Sequence, residues 1–148
     1  MRTLPLRSIH EPDWLQMRLA LWPEANDDEH LDEMAGFLAN PEQYAQFIAR
    51  DDRERACGFV EASVRNDYVN GTETSPVAFL EGIYVDPTAR RKGVARALVD
   101  AVAKWAKSKG CAELASDTST RNRTSHAVHK GLGFVETERV VYFNKSLT

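Results

Sequence analysis

Between residues 77 and 116 an apolar run, a basic glycine-containing loop, a helix-forming stretch and a second apolar run follow one another with almost no spacer. Val94, Leu98, Ala101, Val102 and Trp105 recur at helical spacing, and Lys107, Lys109 and Gly110 suit the C-terminus of a helix expected over Val94 to Lys109. Strands are expected on either side of it, over Pro76 to Val85 and Cys111 to Ser116. A strand, a crossover helix and a strand with such short joints form a βαβ unit, whose strands run parallel and whose crossover is right-handed. Parallel strands need cover on both faces, so the remaining residues must supply further helices and strands.

The rest of the chain offers them. Thr3 to Ile9 reads as a strand, and Pro12 suits the first turn of a helix carrying Trp14, Met17, Leu19 and Leu21 until Pro23 stops it. Leu31, Met34, Phe37 and Leu38 mark a second helix, and Pro41 is expected to restart a short one through Tyr44, Phe47 and Ile48. Ala56 to Val64 is strand-like and should pair antiparallel with Pro76 to Val85, the Asn70-Gly71 pair marking a turn between them. A helix from Asn122 to Lys130 and a strand from Phe134 to Phe143 complete the expectation: an α/β (α+β) sheet with helices on both faces, in one domain over residues 1–148. With 43% apolar residues in 148, the chain can bury a core of that size.

Charge narrows the function. A net charge of -3 argues against a general nucleic-acid binder, but it conceals a division. Residues 1–74 carry 7 basic and 15 acidic side chains, and residues 75–148 carry 12 basic and 7 acidic, as if built for ligands of opposite sign. Met1 to His10 lacks the apolar core of a signal peptide, and no run approaches the roughly 18 apolar residues of a membrane span. A cytoplasmic protein without a membrane partner is expected. Cys57 and Cys111, two cysteines in apolar stretches, should be reduced and buried.

The joint Arg90-Arg91-Lys92-Gly93-Val94-Ala95 sits where a strand gives way to a helix. Unpaired N–H groups and the positive end of the helix dipole favour an anion there, and Gly93 lets one approach the backbone. On charge alone, a solvated basic loop fits equally well. Neither a Walker sequence nor a Gly-x-Gly-x-x-Gly fingerprint is present.

Several carboxylates stand where a cation could use them. Glu81 interrupts the apolar run of its strand, beside Gly82, which permits a bulge or a close approach; it is either a general base or an outward-pointing structural charge. Asp117 ends the strand after the crossover, where ligands of open sheets gather, though Asp-Thr-Ser is equally good capping chemistry. Glu136 and Glu138 share one strand face. Trp22 and Tyr68 lie in loops, free either to pack on a cationic ligand or to anchor those loops. Glu24, Asp27, Asp28, Glu29, Asp32 and Glu33 form an acidic stretch that reads as a solvated helix face, with some power to attract a cation across a Debye length of about 8 Å. His126 and His129 have no third ligand near them in sequence, so no metal is expected. Without a Gly-x-Ser-x-Gly elbow or a reactive-cysteine signature, a covalent acyl-enzyme is not expected either.

Arg90-x-x-Gly93-x-Ala95 after a strand, with Val85-x-Pro87 upstream, resembles the acetyl-CoA pyrophosphate loop of the GNAT family of N-acetyltransferases. Asn122-x-x-Ser125-x-x-Val128-His129-x-x-x-Gly133-Phe134 fits that family's second motif. The resemblance implies a central mixed, mostly antiparallel sheet whose parallel strands splay apart at the acetyl-CoA site. It implies that backbone amides of Arg91, Lys92, Gly93, Val94, Ala95 and Arg96 hold the CoA pyrophosphate. Ile83, Tyr84 and Val85 would then align the pantetheine arm, with Asn122 touching the cofactor.

Nearly the whole chain is similar to the aminoglycoside 6'-N-acetyltransferases, through Leu21-Trp22-Pro23, Asp67-Tyr68-Val69-Asn70-Gly71, Phe79-Leu80-Glu81-Gly82-Ile83, Ala115-Ser116-Asp117-Thr118 and Glu136-Thr137-Glu138-Arg139. What this implies is direct acetyl transfer in a ternary complex to the 6'-amino group of an aminoglycoside, hence resistance, with another small amine, a polyamine or a protein N-terminus as alternative acceptor. Substrate contacts carry over to Trp22, Tyr68, Glu81, Asp117 and Glu138, and the cleft in such enzymes can be shared across a homodimer. Glu81, Asp117 and His129 are the catalytic candidates. At His129 many members of the family have a tyrosine proposed to protonate the leaving thiolate, a task imidazole can also perform.

Overall fold

The computed structural model describes residues 1–148. In chain order it contains β1 (Arg2–Pro5), α1 (Pro12–Leu21), α2 (Asp27–Ala39), β2 (Tyr44–Arg50), β3 (Ala56–Arg65), β4 (Val77–Val85), α3 (Val94–Ser108), β5 (Leu114–Ala115) and α4 (Arg123–Gly131). The strands form one sheet in the order β1-β2-β3-β4-β5. Neighbours from β1 to β4 are antiparallel, and β4 and β5 are parallel, as the βαβ unit requires.

Helices cover both faces. On one, α3 lays Val94, Leu98 and Val102 against Val60, Ala62 and Leu80 of the sheet. On the other, Trp14 and Met17 of α1 and Met34 of α2 enclose Ile48 and Phe59. Pro12 occupies the first turn of α1, and Asn26 with Glu29 forms a reciprocal capping box at the start of α2. Gly110, in the left-handed region, ends α3 as expected.

Two expected elements are replaced. Tyr44, Phe47 and Ile48 belong to a strand, not to a short helix. Their spacing also fits a strand covered on both faces: Ile48 meets the α1/α2 cluster while Phe47 and Ala49 meet the α3 cluster. Pairing to β1 and β3 on both edges then outweighs local helical preference. The second correction concerns Phe134 to Phe143, which form no strand. Beyond Phe134 every residue is exposed, with Val135, Val141, Tyr142 and Phe143 more than two-thirds accessible, so the apolar residues here have no neighbouring strand to pair with and no core to enter. The first strand and β5 are also shorter than expected.

Cys57 and Cys111 are free and buried, and burial pushes both thiols up, away from reactivity. No helix is long and apolar enough to cross a membrane.

Candidate active site

β4 and β5 pair only through Ala78 with Leu114 and Phe79 with Ala115, after which β4 continues alone to Val85. The parallel pair therefore opens after two residues. At the opening, β4 carries a bulge: Glu61 of β3 stands opposite Gly82 and Ala62 opposite Leu80, so Glu81 is the extra residue. Residues 83–85 keep their antiparallel partners on β3, and their other edge faces the gap.

Glu81 is exposed as a residue, but its side chain is only 30% accessible, partly enclosed by its neighbours. Its Oε1 accepts from Ser63 Oγ at 2.6 Å and from Arg65 Nη2 at 2.9 Å. The Arg65 guanidinium lies 3.7 Å from the centre of the Phe79 ring. Neither Ser63 nor Arg65 is singled out by the sequence, since nothing in a linear run tells which strand neighbours will face a bulge. Trp22 comes to the same place: a Cβ added to Gly82 would lie 2.5 Å from Cζ2 and Cη2 of its ring. The glycine thus admits an indole, and Glu81 and Trp22 border each other.

The basic loop has the conformation of an anion cradle. Arg91 and Gly93 adopt φ of 62° and 81°, and Gly93 caps α3 without any side-chain hydrogen bond. The N–H groups of Val94, Ala95 and Arg96 have no acceptor within the helix. A Cβ on Gly93 would meet nothing within 4 Å, so the space above the loop is open to a ligand. Arg90, Arg91 and Lys92 are exposed around it. Two loop cations have internal duties: Arg90 Nε donates to the Val85 carbonyl and Arg96 to the Gly131 carbonyl.

Asp117 is exposed just past β5 and makes no hydrogen bond or ion pair within the chain, so the capping alternative is not used. Capping falls instead to Asn122, whose Oδ1 accepts from the Ser125 N–H at the start of α4. His129, half-buried on α4, donates from Nδ1 to the Ser125 carbonyl at 2.7 Å, which leaves Nε2 to accept from Ser116 Oγ at 2.8 Å. His126 turns to the Ser119 carbonyl. Ser116 stands where the strands part, and sequence reading missed it because its role depends on α4 folding back.

Tyr68 is 75% exposed in the loop between β3 and β4, beside an open groove of about 360 Å³ lined by Gln43, Arg65, Asp67 and Val69 among others. Thr137 packs against Gly71 in that loop, which brings the segment carrying Glu138 near it. Glu136 is held by Arg139, and that ion pair keeps its carboxyl below the usual range, while Glu138 remains unpaired. Within the acidic stretch, the Glu29 carboxylate accepts from the N–H of the N-cap Asn26 and Glu33 is paired with Arg18; Glu24, Asp27, Asp28 and Asp32 form no ion pair.

The pattern of the acetyltransferase (GNAT) family matches residues 6–134. The chain is 52% identical over 147 residues to the aminoglycoside N(6')-acetyltransferase type 1 of Acinetobacter genomosp. 13, covering 99% of each. Its structure is similar to that of the aminoglycoside antibiotic 6'-N-acetyltransferase AAC(6')-Ih from Acinetobacter baumannii, with TM-score 0.92, 48% identity and 99% of both chains covered. AAC(6')-Iy in complex with the bisubstrate analog CoA-S-monomethyl-acetylneamine gives TM-score 0.92 at 46% identity, over 98% of this chain and 97% of that one.

Proposed function

Because the chain belongs to the acetyltransferase (GNAT) family, we propose that it transfers the acetyl group of acetyl-CoA to the 6'-amino group of aminoglycoside antibiotics and so confers resistance to them. The observation that carries this reading is the bulged Glu81 at the opening between β4 and β5, in a chain that also presents an anion cradle at the start of α3 and an unpaired Asp117 just past β5. The relatives' substrates and the bisubstrate complex support it.

Arg91, Lys92 and the amides of Gly93 to Arg96 hold the CoA phosphates, and residues Ile83, Tyr84 and Val85 offer a free strand edge to the pantetheine arm. Asn122 contributes its amide nitrogen, since its oxygen is engaged in capping. The acceptor is a polycation that must lose one proton before it attacks. Asp117, Glu138 and Tyr68 hold its other ammonium groups, and Trp22 packs beside the ring that reacts. Glu81, directly or through a water, takes the proton from the attacking amine; a bond forms from that nitrogen to the acetyl carbon, and the carbon–sulfur bond breaks. CoA leaves as a thiolate. His129 delivers a proton to it only as imidazolium, through the Ser116 hydroxyl, because Nδ1 is committed to the Ser125 carbonyl.

We assign the enzyme to the cytoplasm, where acetyl-CoA is available and thiols stay reduced. We also assign it a homodimeric state, in which a second copy covers the apolar side chains of the exposed C-terminal segment. The test of function is thiol release from acetyl-CoA on addition of kanamycin or tobramycin, with mass spectrometry to locate the acetylated nitrogen. Silence with both drugs overturns the reading, as does a higher kcat/KM for a polyamine or peptide N-terminus.

A further inference from the structure

The best-enclosed polar cluster of the molecule lies away from the anion cradle. Arg18 of α1 and His30 of α2 are each 1% exposed, and Glu61 of β3 is 2% exposed. Arg18 Nη1 lies 2.8 Å from both Glu61 oxygens, and Trp14 Nε1 donates to the same carboxylate. Arg18 Nη2 reaches out to Glu33, and Arg18 Nε donates to His30 Nδ1 at 3.1 Å. A guanidinium can only donate, so Nδ1 carries no proton and the hydrogen of the neutral ring sits on Nε2. That Nε2–H points at the Trp22 carbonyl, 3.1 Å away.

Trp22 is held at several other points, and its carbonyl also accepts the Ala25 N–H at 3.4 Å. Its N–H donates to the Arg18 carbonyl, its ring stacks on His30 with centroids 6.5 Å apart, and the Arg18 guanidinium lies 4.8 Å from its centre. Phe59 meets the ring edge-on and Gly82 lies beneath it, while the indole Nε1–H has no partner in the chain. An ordinary loop anchor needs no buried cation with a tautomer-fixed relay. Burying this ion pair costs desolvation, and apolar residues of similar volume could fill the space at no loss of stability.

We propose that Arg18 and His30 are positioning residues for acceptor recognition: through the Nε2–H bond to the Trp22 carbonyl they hold the indole beside Glu81 in the orientation that receives the aminoglycoside. The proposal rests on the reading that Trp22 touches the acceptor. Asparagine and glutamine divide the histidine's two functions. His30→Asn keeps an acceptor for Arg18 but cannot reach Trp22, and His30→Gln places an N–H near the Trp22 carbonyl.

Expected for His30→Asn is a rise of about tenfold in KM for kanamycin, the effect of one lost buried hydrogen bond, with KM for acetyl-CoA unchanged. Expected for His30→Gln is recovery of most of that loss. Equal damage by both variants, or parallel changes in both KM values, overturns the relay and leaves the cluster a scaffold. Trp22→Leu separates the two layers: if it leaves the kanamycin KM unchanged, the reading of Trp22 as a substrate contact fails; if it raises KM while His30→Asn does not, only the positioning role fails. Should His30→Asn not fold, nitrogen-15 ring shifts of the wild-type histidines at pH 7.5 decide the matter. The relay requires protonated Nε2 and bare Nδ1 at His30, and the opposite tautomer overturns it.

Discussion

Arg65 holds the carboxylate that the proposed function offers to a substrate ammonium group. Its guanidinium bonds Glu81 and lies over the Phe79 ring, so on that reading an incoming amine must displace or share it. Arg65→Met keeps the packing on Phe79 and frees the carboxylate, and the kanamycin KM should fall by about two- to fivefold, as expected for removal of an exposed ion pair. A higher KM in steady-state assays would mean that Arg65 itself touches the acceptor. Asp117→Asn should raise the drug KM about tenfold through loss of a charged hydrogen bond, with acetyl-CoA binding by calorimetry unchanged. Glu81 was legible as a charge in an apolar strand, but the same signal marks Glu61. The structure separates them: Glu61 is the buried one, matched by Arg18 and Trp14, and Glu81 is the accessible one. Sequence spacing carries no information about which of two such carboxylates meets solvent.

Among the elements, the loop between β3 and β4 depends on one clamp. Glu113 Oε1 accepts from the N–H groups of Glu73 and Thr74 and from the Thr74 hydroxyl, and these bonds, the hydroxyl first, hold its carboxyl below the usual range. A carboxyl with a lowered folded pKa contributes stability above its unfolded value of about 4.3 and loses it as pH falls through the folded value. The loop should therefore loosen under acid, below the ordinary glutamate range, and Glu113→Gln should remove that dependence. Amide hydrogen exchange at residues 66–76 reads both, and fast exchange in neither case would show that the clamp is idle. By contrast, α3 is anchored by burial: Leu98→Ala should cost about 2–5 kcal/mol in urea unfolding, since Leu98 is fully enclosed. That helix was plain in the sequence because its apolar positions fall on one face. β2 was not, because a strand buried on both faces and a short helix share the same apolar spacing.

For the molecule as a whole, the charge division agrees with an anionic cosubstrate and a cationic acceptor, but the candidate contacts cross it. Cations do gather at the cradle before α3, but Glu81 and Asp117 come from the basic half, on the strands that part there. The C-terminal segment is the largest apolar surface left uncovered at one end of the chain. Val135, the consecutive Val141, Tyr142 and Phe143, and Leu147 are all exposed and pack against nothing within the chain. Light scattering at micromolar concentration should report a dimer, and removal of residues 135–148 should report a monomer; a monomeric full-length protein removes the proposed second copy.

The bulge in β4 also makes chain length itself part of how the strand displays its side chains. Upstream of it the even-numbered side chains, Ala78 and Leu80, face α3, and downstream the odd-numbered ones, Ile83 and Val85, do. One supernumerary residue thus reverses parity, so that Glu81 and Gly82, adjacent in sequence, emerge on the same side, one beside Ser63 and Arg65 and one under Trp22. Substitution can tune such a site gradually. Deleting a single residue there cannot, because restoring strict alternation would turn either the acid or the indole's resting place to the opposite side of the sheet.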